Sequence, residues 1–337
     1  MKYSLKKWVS SMKNRKTFMG LGKVFKFTLW QLFKNKGNLV VFGILIVVAM
    51  AAVPVMAFLF EDETVITQTG FISNVMTMDE FLHLDEVSFD ARYMVQIFYS
   101  ILVLIVCVFS CAYIIRSIVE EKASKLVETL MVSVESEALI LGKILAVMAF
   151  IFGMLALTAS GYGISYLVTG MFMDTSVIGA KMANMGITSE IFSLGPVLIV
   201  IIVVSLLLAY MQFALIAALS GAGCSNIEDM EGANTASVLL TMAGYIVTII
   251  ASPFGSTPAI PLSLCPFISA FAAPTYYVTG DIGIGILLLS WAIQVVIIAA
   301  ESKLSASLYD SLIMYKGNRL KLTQMLAMAV KNRKGVK

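Results

Sequence analysis

The chain has 337 residues, of which 59% are hydrophobic and 13% are charged, and its mean hydropathy is +0.90. Soluble domains carry about a quarter charged residues, so this composition excludes an ordinary soluble protein. Several apolar stretches approach the ~20 residues that a helix needs to cross a bilayer. We therefore expect an all-α, multi-pass membrane protein that forms a single transmembrane domain over residues 1–337.

The N-terminal part, residues 1–38, precedes the first apolar stretch and contains ten Lys and Arg residues. Within it, 21–38 reads LGKVFKFTLWQLFKNKGN and predicts a helix with one apolar face, formed by Leu21, Phe25, Leu29, Leu32 and Phe33. Lysines lie toward the other side, and Trp30 suits the headgroup region. These features predict an interfacial helix on the inner leaflet that ends at Gly37-Asn38.

Six transmembrane spans are predicted within residues 39–300, with residues 301–337 as a cytoplasmic tail. The spans cover 39–60, 93–115, 139–168, 194–219, 235–252 and 282–300. No Asp, Glu, Lys or Arg is expected in the middle of a span, and Asp281 and Glu301 are placed at the ends of the last one. The first span follows so long a basic segment that we expect it to be retained as an anchor.

The orientation follows from the basic residues, which collect on the cytoplasmic side of membrane proteins. Six spans put 22 of the 24 Lys and Arg residues on one side, with Arg92 and Lys181 as the exceptions. The opposite side carries residues 61–90, which contain eight acidic residues and no Lys or Arg. We therefore expect a protein of the cell membrane with both termini in the cytoplasm.

Residues 253–281 are apolar enough to resemble a seventh span, but they hold five of the chain's seven prolines. Proline removes a backbone donor and disfavours a continuous helix, and unpaired backbone is costly in lipid. We expect short broken helices that enter the outer leaflet and return between spans five and six. An apolar external loop is the alternative.

A charged block separates the second and third spans. Apolar residues recur at helical spacing over 119–134, while Glu120, Glu121, Lys125 and Glu128 cover the other face. This pattern predicts an amphipathic cytoplasmic helix over 117–136, although a solvated loop would also need charge. Ser136 is the expected N-cap of the third span, and Lys143 is expected to extend toward the headgroups.

The stretch EEKASKLVETLMVSVESEALILGK resembles the cytoplasmic segment of type-2 ABC exporter permeases, a family that includes sodium-exporter-type and antibiotic- or peptide-exporting members. The matching residues are Glu120, Glu121, Lys122, Glu128, Leu130, Gly142 and Lys143. Residues 221–234, 265–281 and 306–332 resemble the family's second cytoplasmic connection, its proline-bearing segment and its C-terminal tail. Two departures are the short external loop and Val134-Glu135-Ser136 in place of a proline turn.

The resemblance implies a permease subunit without catalytic residues of its own. G-x-x-x-x-G-K-[ST] is absent from the sequence, so no cofactor is expected in this chain, and ATP and Mg would bind to a partner. The implied partners are an ABC ATPase dimer, a second identical or homologous permease chain and the lipid bilayer; nucleic acid is not expected. The implied ATPase-coupling residues are Glu120, Glu121, Lys122, Lys125, Glu128, Glu228, Asp229 and Glu231.

A translocation path would be lined by uncharged polar residues. The candidates are Gln96, Tyr113, Tyr162, Tyr166, Tyr210, Gln212, Tyr245 and Gln294, although hydrogen bonding between helices or anchoring at the interface is the favoured explanation for each residue taken singly. The absence of charge within the spans favours export of a hydrophobic or amphipathic peptide, drug or lipid-like molecule. Export of sodium by the same architecture, a stand-alone carrier and a membrane sensor remain alternatives. No residues have the spacing of a metal site.

Overall fold

The computed structural model describes residues 20–67, 89–124, 134–173, 195–254 and 256–313, together with Thr175, Ile178 and Gln324. The described part of the chain is helical and contains no β-strand. The α-helices are α1 (Leu21–Lys34), α2 (Lys36–Thr67), α3 (Phe89–Ala123), α4 (Ser136–Thr169), α5 (Pro196–Ala222), α6 (Asp229–Ala251), α7 (Ala259–Leu264), α8 (Ser269–Val278) and α9 (Ile284–Ile313). A short 3₁₀ turn, Ser252–Phe254, follows α6.

The prediction of six spans is confirmed: six described helices are long and apolar enough to cross a membrane. They are Lys36–Leu59, Tyr93–Ala123, Ser136–Thr169, Pro196–Ala222, Asp229–Ala251 and Ile284–Tyr309. Four helices extend well past the predicted spans: α2, α3 and α9 at their C-terminal ends and α6 at its N-terminal end. Hydropathy detects only the apolar part of a helix, whereas backbone hydrogen bonding continues through the charged residues beyond it.

The length of α3 shows how far the helices continue. Its 35 residues span about 52 Å, compared with about 30 Å for the hydrocarbon core of a bilayer. The extension of α9 to Ile313 also corrects the predicted position of Glu301, which lies within this helix and not at its end. The cytoplasmic tail predicted from residue 301 therefore begins as a continuation of α9.

The core lies between α3, α4 and α5. Cys107, Cys111 and Ile114 of α3 are fully buried against side chains that include Tyr210 and Phe213 of α5. The first span contributes least, since only 6% of its most apolar window is buried inside the chain. The fold therefore places α3 and α5 centrally and leaves an apolar face of α2 uncovered.

Helix α1 packs along α4, and the close approach depends on Gly142. A Cβ atom at Gly142 would lie 2.9 Å from the Cβ and Cγ1 atoms of Val24. Val24, Thr28 and Leu32 form the buried face of α1. Trp30 is exposed, and the Lys34 ammonium lies over its ring, 4.5 Å from the ring centroid. The predicted N-terminal helix is therefore present, and its position at a membrane surface stays a prediction.

The corner between α1 and α2 lies at Asn35, earlier than the predicted Gly37-Asn38. Asn35 has extended backbone, and its side-chain oxygen accepts a hydrogen bond of 2.9 Å from the Gly37 amide. Asn38 turns back to donate from Nδ2 to the Leu32 carbonyl at 3.0 Å. Both side chains satisfy backbone groups freed at the break, so an Asn rather than a Gly ends α1.

The proline-rich segment consists of short helices, as its prolines predict. Pro258 precedes α7, and α8 follows a turn in which Phe267 has a φ of 67°. The residues from Ala270 to Ala273 are fully buried, and Phe271 packs so close to α6 that a Cβ at Gly244 would lie 2.9 Å from its ring. The segment is part of the helix packing, and its depth in a bilayer stays a prediction.

Several predicted features lie outside the described residues. They include Lys125 and Glu128 with most of the amphipathic helix expected after Ser124, most of the acidic loop at 61–90, and nearly all of the tail after Ile313. These predictions remain as stated.

A candidate coupling site at the charged end of the bundle

One end of the bundle gathers the charged helix termini, and we call it the charged end. It comprises α1, the C-terminal ends of α3, α5 and α9, and the N-terminal ends of α4 and α6. Contacts of Lys122 and Lys143 bring the termini of α3, α4, α5 and α9 together. All of the predicted ATPase-coupling residues that the structure describes lie here: Glu120, Glu121, Lys122, Glu228, Asp229 and Glu231.

Glu121 and Lys143 form an ion pair inside this end. Lys143 Nζ lies 2.5 Å from Glu121 Oε2, and the two side chains are 1% and 4% exposed. This corrects two expectations, since Glu121 does not face the surface and Lys143 does not extend toward the headgroups. The last turn of α3 packs directly on the second turn of α4, so the acid and the base neutralise each other in the interior.

Lys122 joins three helices. Its Nζ donates to the carbonyl of Ala222 at 2.9 Å and to the carbonyl of Leu312 at 2.8 Å. These carbonyls belong to the last turns of α5 and α9, where backbone acceptors lack a partner within the helix and the helix dipole is negative. A half-buried ammonium at this point satisfies both acceptors and fixes the two ends to α3.

Glu120, by contrast, remains at the surface. Its Oε1 accepts a hydrogen bond of 2.6 Å from Arg116 Nε, one helical turn earlier, and 36% of the Glu120 side chain is exposed. Exposed ion pairs of this kind contribute about 0–1 kcal/mol to stability. Glu120 can therefore change partners at little cost, unlike Glu121.

The turn between α5 and α6 is shaped by Asp229. Its Oδ2 accepts hydrogen bonds from the backbone amides of Ser225 and Asn226, at 3.0 and 3.1 Å. Ile227, Glu228 and Glu231 are left exposed around it. Asp229 is thus a structural residue of the turn, and the exposed trio forms what we call the α5–α6 turn surface.

Helix α4 begins at Ser136, with Glu135 at the N-cap position. The predicted cap at Ser136 is therefore one residue too late. Glu137 lies in the first turn, where an acid interacts favourably with the helix dipole. Gly142 and Lys143, the Gly-Lys pair of the sequence motif, have separate roles. Gly142 allows the close packing of α1 on α4, and Lys143 forms the ion pair with Glu121.

The candidate path residue Gln96 lies between helices. Its Nε2 donates to Ser100 Oγ at 2.6 Å and to the Phe271 carbonyl at 3.2 Å, and its Oε1 accepts from Thr275 Oγ1 at 2.5 Å. Tyr99, one turn away, donates to the Ala270 carbonyl at 3.2 Å. These bonds attach α8 to α3 within one chain.

Of the other candidates, Tyr210, Gln212 and Gln294 are buried, Tyr113 and Tyr245 are partly exposed, and Tyr162 and Tyr166 are exposed. Tyr210 donates to the Ile144 carbonyl at 2.6 Å, and Gln294 Nε2 donates to Ser269 Oγ at 3.0 Å. Gln212 is fully buried, and neither of its amide atoms has a hydrogen-bond partner among the described residues. Tyr113 is partly exposed and stacks edge-on against Phe150. A role on a translocation path stays a prediction for all of them.

Sequence reasoning also missed the interhelical link in which Trp291 Nε1 of α9 donates to Ser205 Oγ of α5 at 3.1 Å. A tryptophan within a span is commonly assigned to the interface, and only the helix packing reveals its polar partner.

The family of the chain follows from its sequence. The sequence model described as ABC-2 family transporter protein matches residues 80–300, which include all of α3–α8 and the N-terminal half of α9. The chain belongs to the ABC-2 transporter family. This ABC-2 permease is the membrane subunit of an ABC transporter, and the ATPase is a separate partner. No curated protein and no solved structure matches the chain.

Proposed function

We propose that this ABC-2 permease is the membrane subunit of an ATP-driven exporter and that its charged end faces the cytoplasm. The excess of Lys and Arg assigned to one side of the membrane supports this orientation. The ATPase dimer then binds to the charged end. ATP and Mg remain on the ATPase.

The observation that carries the proposal is the pair of adjacent residues Glu121 and Lys122. Glu121 binds Lys143 of α4, while Lys122 binds the last turns of α5 and α9. A displacement of the end of α3 therefore moves the ends of three other helices. A transporter driven by a partner needs such a link between its docking surface and its spans.

The docking surface itself would consist of Glu120, the α5–α6 turn surface and the predicted helix with Lys125 and Glu128. Glu228 and Glu231 are exposed and acidic, and Ile227, next to Glu228 in the chain, offers an apolar contact that is 57% exposed. The expected complement on the ATPase is a basic groove with an apolar pocket.

For the substrate we propose a hydrophobic or amphipathic molecule. The buried polar side chains of the described spans include the amides Gln96, Gln212 and Gln294, which do not compensate a desolvated ion as a carboxylate would. The carboxylates of Glu121 and Glu301 lie in the C-terminal halves of α3 and α9, toward the charged end. A second permease chain is expected to cover part of α2, whose apolar face is almost entirely exposed in this chain.

The experiment uses the permease co-expressed with its ATPase and reconstituted in lipid. Hydrophobic peptides or drugs should raise ATP hydrolysis, and sodium should not. The double reversal Glu228→Lys/Glu231→Lys should weaken ATPase binding by about tenfold or more, because like charges then meet across the interface. The control Thr257→Lys adds a lysine at an exposed position beyond the other end of α6 and should leave binding unchanged.

Two results would refute separate parts of the proposal. Wild-type binding by the double reversal would exclude the α5–α6 turn surface as the docking element. ATP hydrolysis that follows sodium over potassium and ignores amphipathic compounds would replace the proposed substrate class with a cation.

A further inference from the structure

A small polar cleft of about 40 Å³ lies at the charged end, between the α1–α2 corner and α3. Its polar lining includes Thr28 and Gln31 of α1, Asn38 of α2, and Arg116, Ser117 and Glu120 of α3, so it shares Glu120 with the proposed docking surface. The cleft is separate from the α5–α6 turn surface.

Polar atoms in the cleft lack partners. Thr28 Oγ1, Gln31 Oε1 and Ser117 Oγ are buried and have no hydrogen bond within the described part of the chain. Thr28 is 1% exposed and Ser117 is 6% exposed. Buried hydroxyl and amide groups are normally satisfied, because leaving them unpaired costs free energy. Three such atoms around one cleft indicate a ligand with hydrogen-bonding groups.

Arg116 and Glu120 carry the charges of the cleft, and Arg116 has donors beyond the one that Glu120 occupies. Its guanidinium has five N–H donors, of which the Nε–H binds Glu120. The side chain is 49% exposed, so the terminal amino groups are accessible from the cleft opening. A guanidinium beside hydroxyl donors is suited to a phosphate group.

The surroundings of the cleft are those of a membrane surface. The exposed apolar residues of α2 begin at Leu39, directly after the corner, and Trp30 is exposed on α1. On α3, Ile105 and Phe109 are 45% and 40% exposed and precede Arg116 at helical spacing on the same face. An exposed apolar stripe thus leads from the span to the polar cleft.

We propose that the cleft binds the phosphate headgroup of a membrane phospholipid and that an acyl chain of this lipid lies on the stripe formed by Ile105 and Phe109. The phosphate oxygens accept hydrogen bonds from the Thr28 and Ser117 hydroxyls, and a hydroxyl or ammonium group of the headgroup donates to Gln31 Oε1. The acyl chain covers apolar surface on α3. Because the lipid contacts α1, α2 and α3 together, it also supports the position of α1 beside the coupling residues.

The test is native mass spectrometry of the full-length purified protein after delipidation and addition of dioleoyl phosphatidylglycerol and dioleoyl phosphatidylethanolamine. Arg116→Gln/Ser117→Ala should weaken lipid retention by about tenfold, because charged and neutral hydrogen bonds are lost together. The matched control is Lys303→Gln/Ser307→Ala, which removes an exposed lysine and a serine four residues apart on α9.

A second variant, Phe109→Gln, changes only the exposed apolar stripe and should also lower retention, which keeps the test decisive if the first variant folds poorly. Equal retention by the cleft and control variants would overturn the proposal. Displacement of the lipid by a large excess of inorganic phosphate would overturn it in favour of a soluble anion. If the cleft and stripe variants lose permease dimers but retain lipid as the unmodified protein does, the cleft and stripe would be a contact for a second copy of the chain and not a lipid site.

Discussion

Glu121 and Lys143 form a 2.5 Å ion pair that joins the end of α3 to the start of α4 in the protein interior. Glu121 belongs to the charged sequence block between the second and third spans, and Lys143 lies near the start of the third. Their burial means that part of this block holds the helices together, while Glu120 beside them remains at the surface.

Breaking this pair from one side should destabilise the protein strongly. Glu121→Leu leaves the Lys143 ammonium buried without its counter-ion, which is expected to cost about 3–5 kcal/mol. The double variant Glu121→Leu/Lys143→Met removes both charges and keeps apolar volume, so it should lose much less. Unfolding of the purified variants in detergent measures the difference. A double variant as unstable as Glu121→Leu would show that the charges do not depend on each other.

Removal of the Lys122 ammonium should loosen two helix ends. Lys122→Met deletes the hydrogen bonds to the Ala222 and Leu312 carbonyls, with an expected loss of about 2–4 kcal/mol. Hydrogen exchange should increase in the last turns of α5 and α9. Lys303→Met, which removes an exposed lysine, is the control and should change neither quantity. Unchanged exchange in Lys122→Met would refute the proposed link.

Gly142→Ala tests the packing of α1 on α4. The added Cβ would lie 2.9 Å from two Val24 carbons and 3.2 Å from the Leu21 carbonyl, so overpacking should cost about 1–3 kcal/mol. Gly153→Ala in the same helix meets nothing within 4 Å and should be neutral or stabilising by up to about 1 kcal/mol. Thermal unfolding compares the two. Equal stabilities would mean that α1 moves aside freely.

The orientation of the bundle can be tested by cysteine labelling in a background without native cysteines. A cysteine at Thr257, beyond the end of α6, should react with an impermeant thiol reagent in intact cells. One at Asn226, in the turn before α6, should react only after permeabilisation. Both residues are exposed in the fold, so a difference in labelling reports the side of the membrane and not burial within the protein. Labelling of Asn226→Cys in intact cells would invert the proposed topology.

The spans could be read from the sequence because hydrocarbon thickness imposes a run of about 20 apolar residues on each crossing helix. Their ends could not be read equally well. Charged residues such as Asp229 and Lys303 continue a helix but lower the local hydropathy. The predicted spans are therefore shorter than α6 and α9.

The residues of the candidate coupling site were found by their charge and by the resemblance to a permease family, but their roles were not. Periodicity placed Glu120 and Glu121 on one polar face. In the structure, one is 36% exposed and its neighbour is buried. Adjacent residues on a helix point in directions about 100° apart, and only the position of α4 decides which one is enclosed.

The sequence by itself determined the helical class, the six spans and the family, because these follow from local properties: apolar length, proline placement and a contiguous motif. The tertiary structure decided which charges meet. Lys122 reaches carbonyls 100 and 190 residues away in the chain, and Gln96 binds a segment 175 residues away. Such contacts depend on how the helices pack, and no local pattern in a single sequence specifies them.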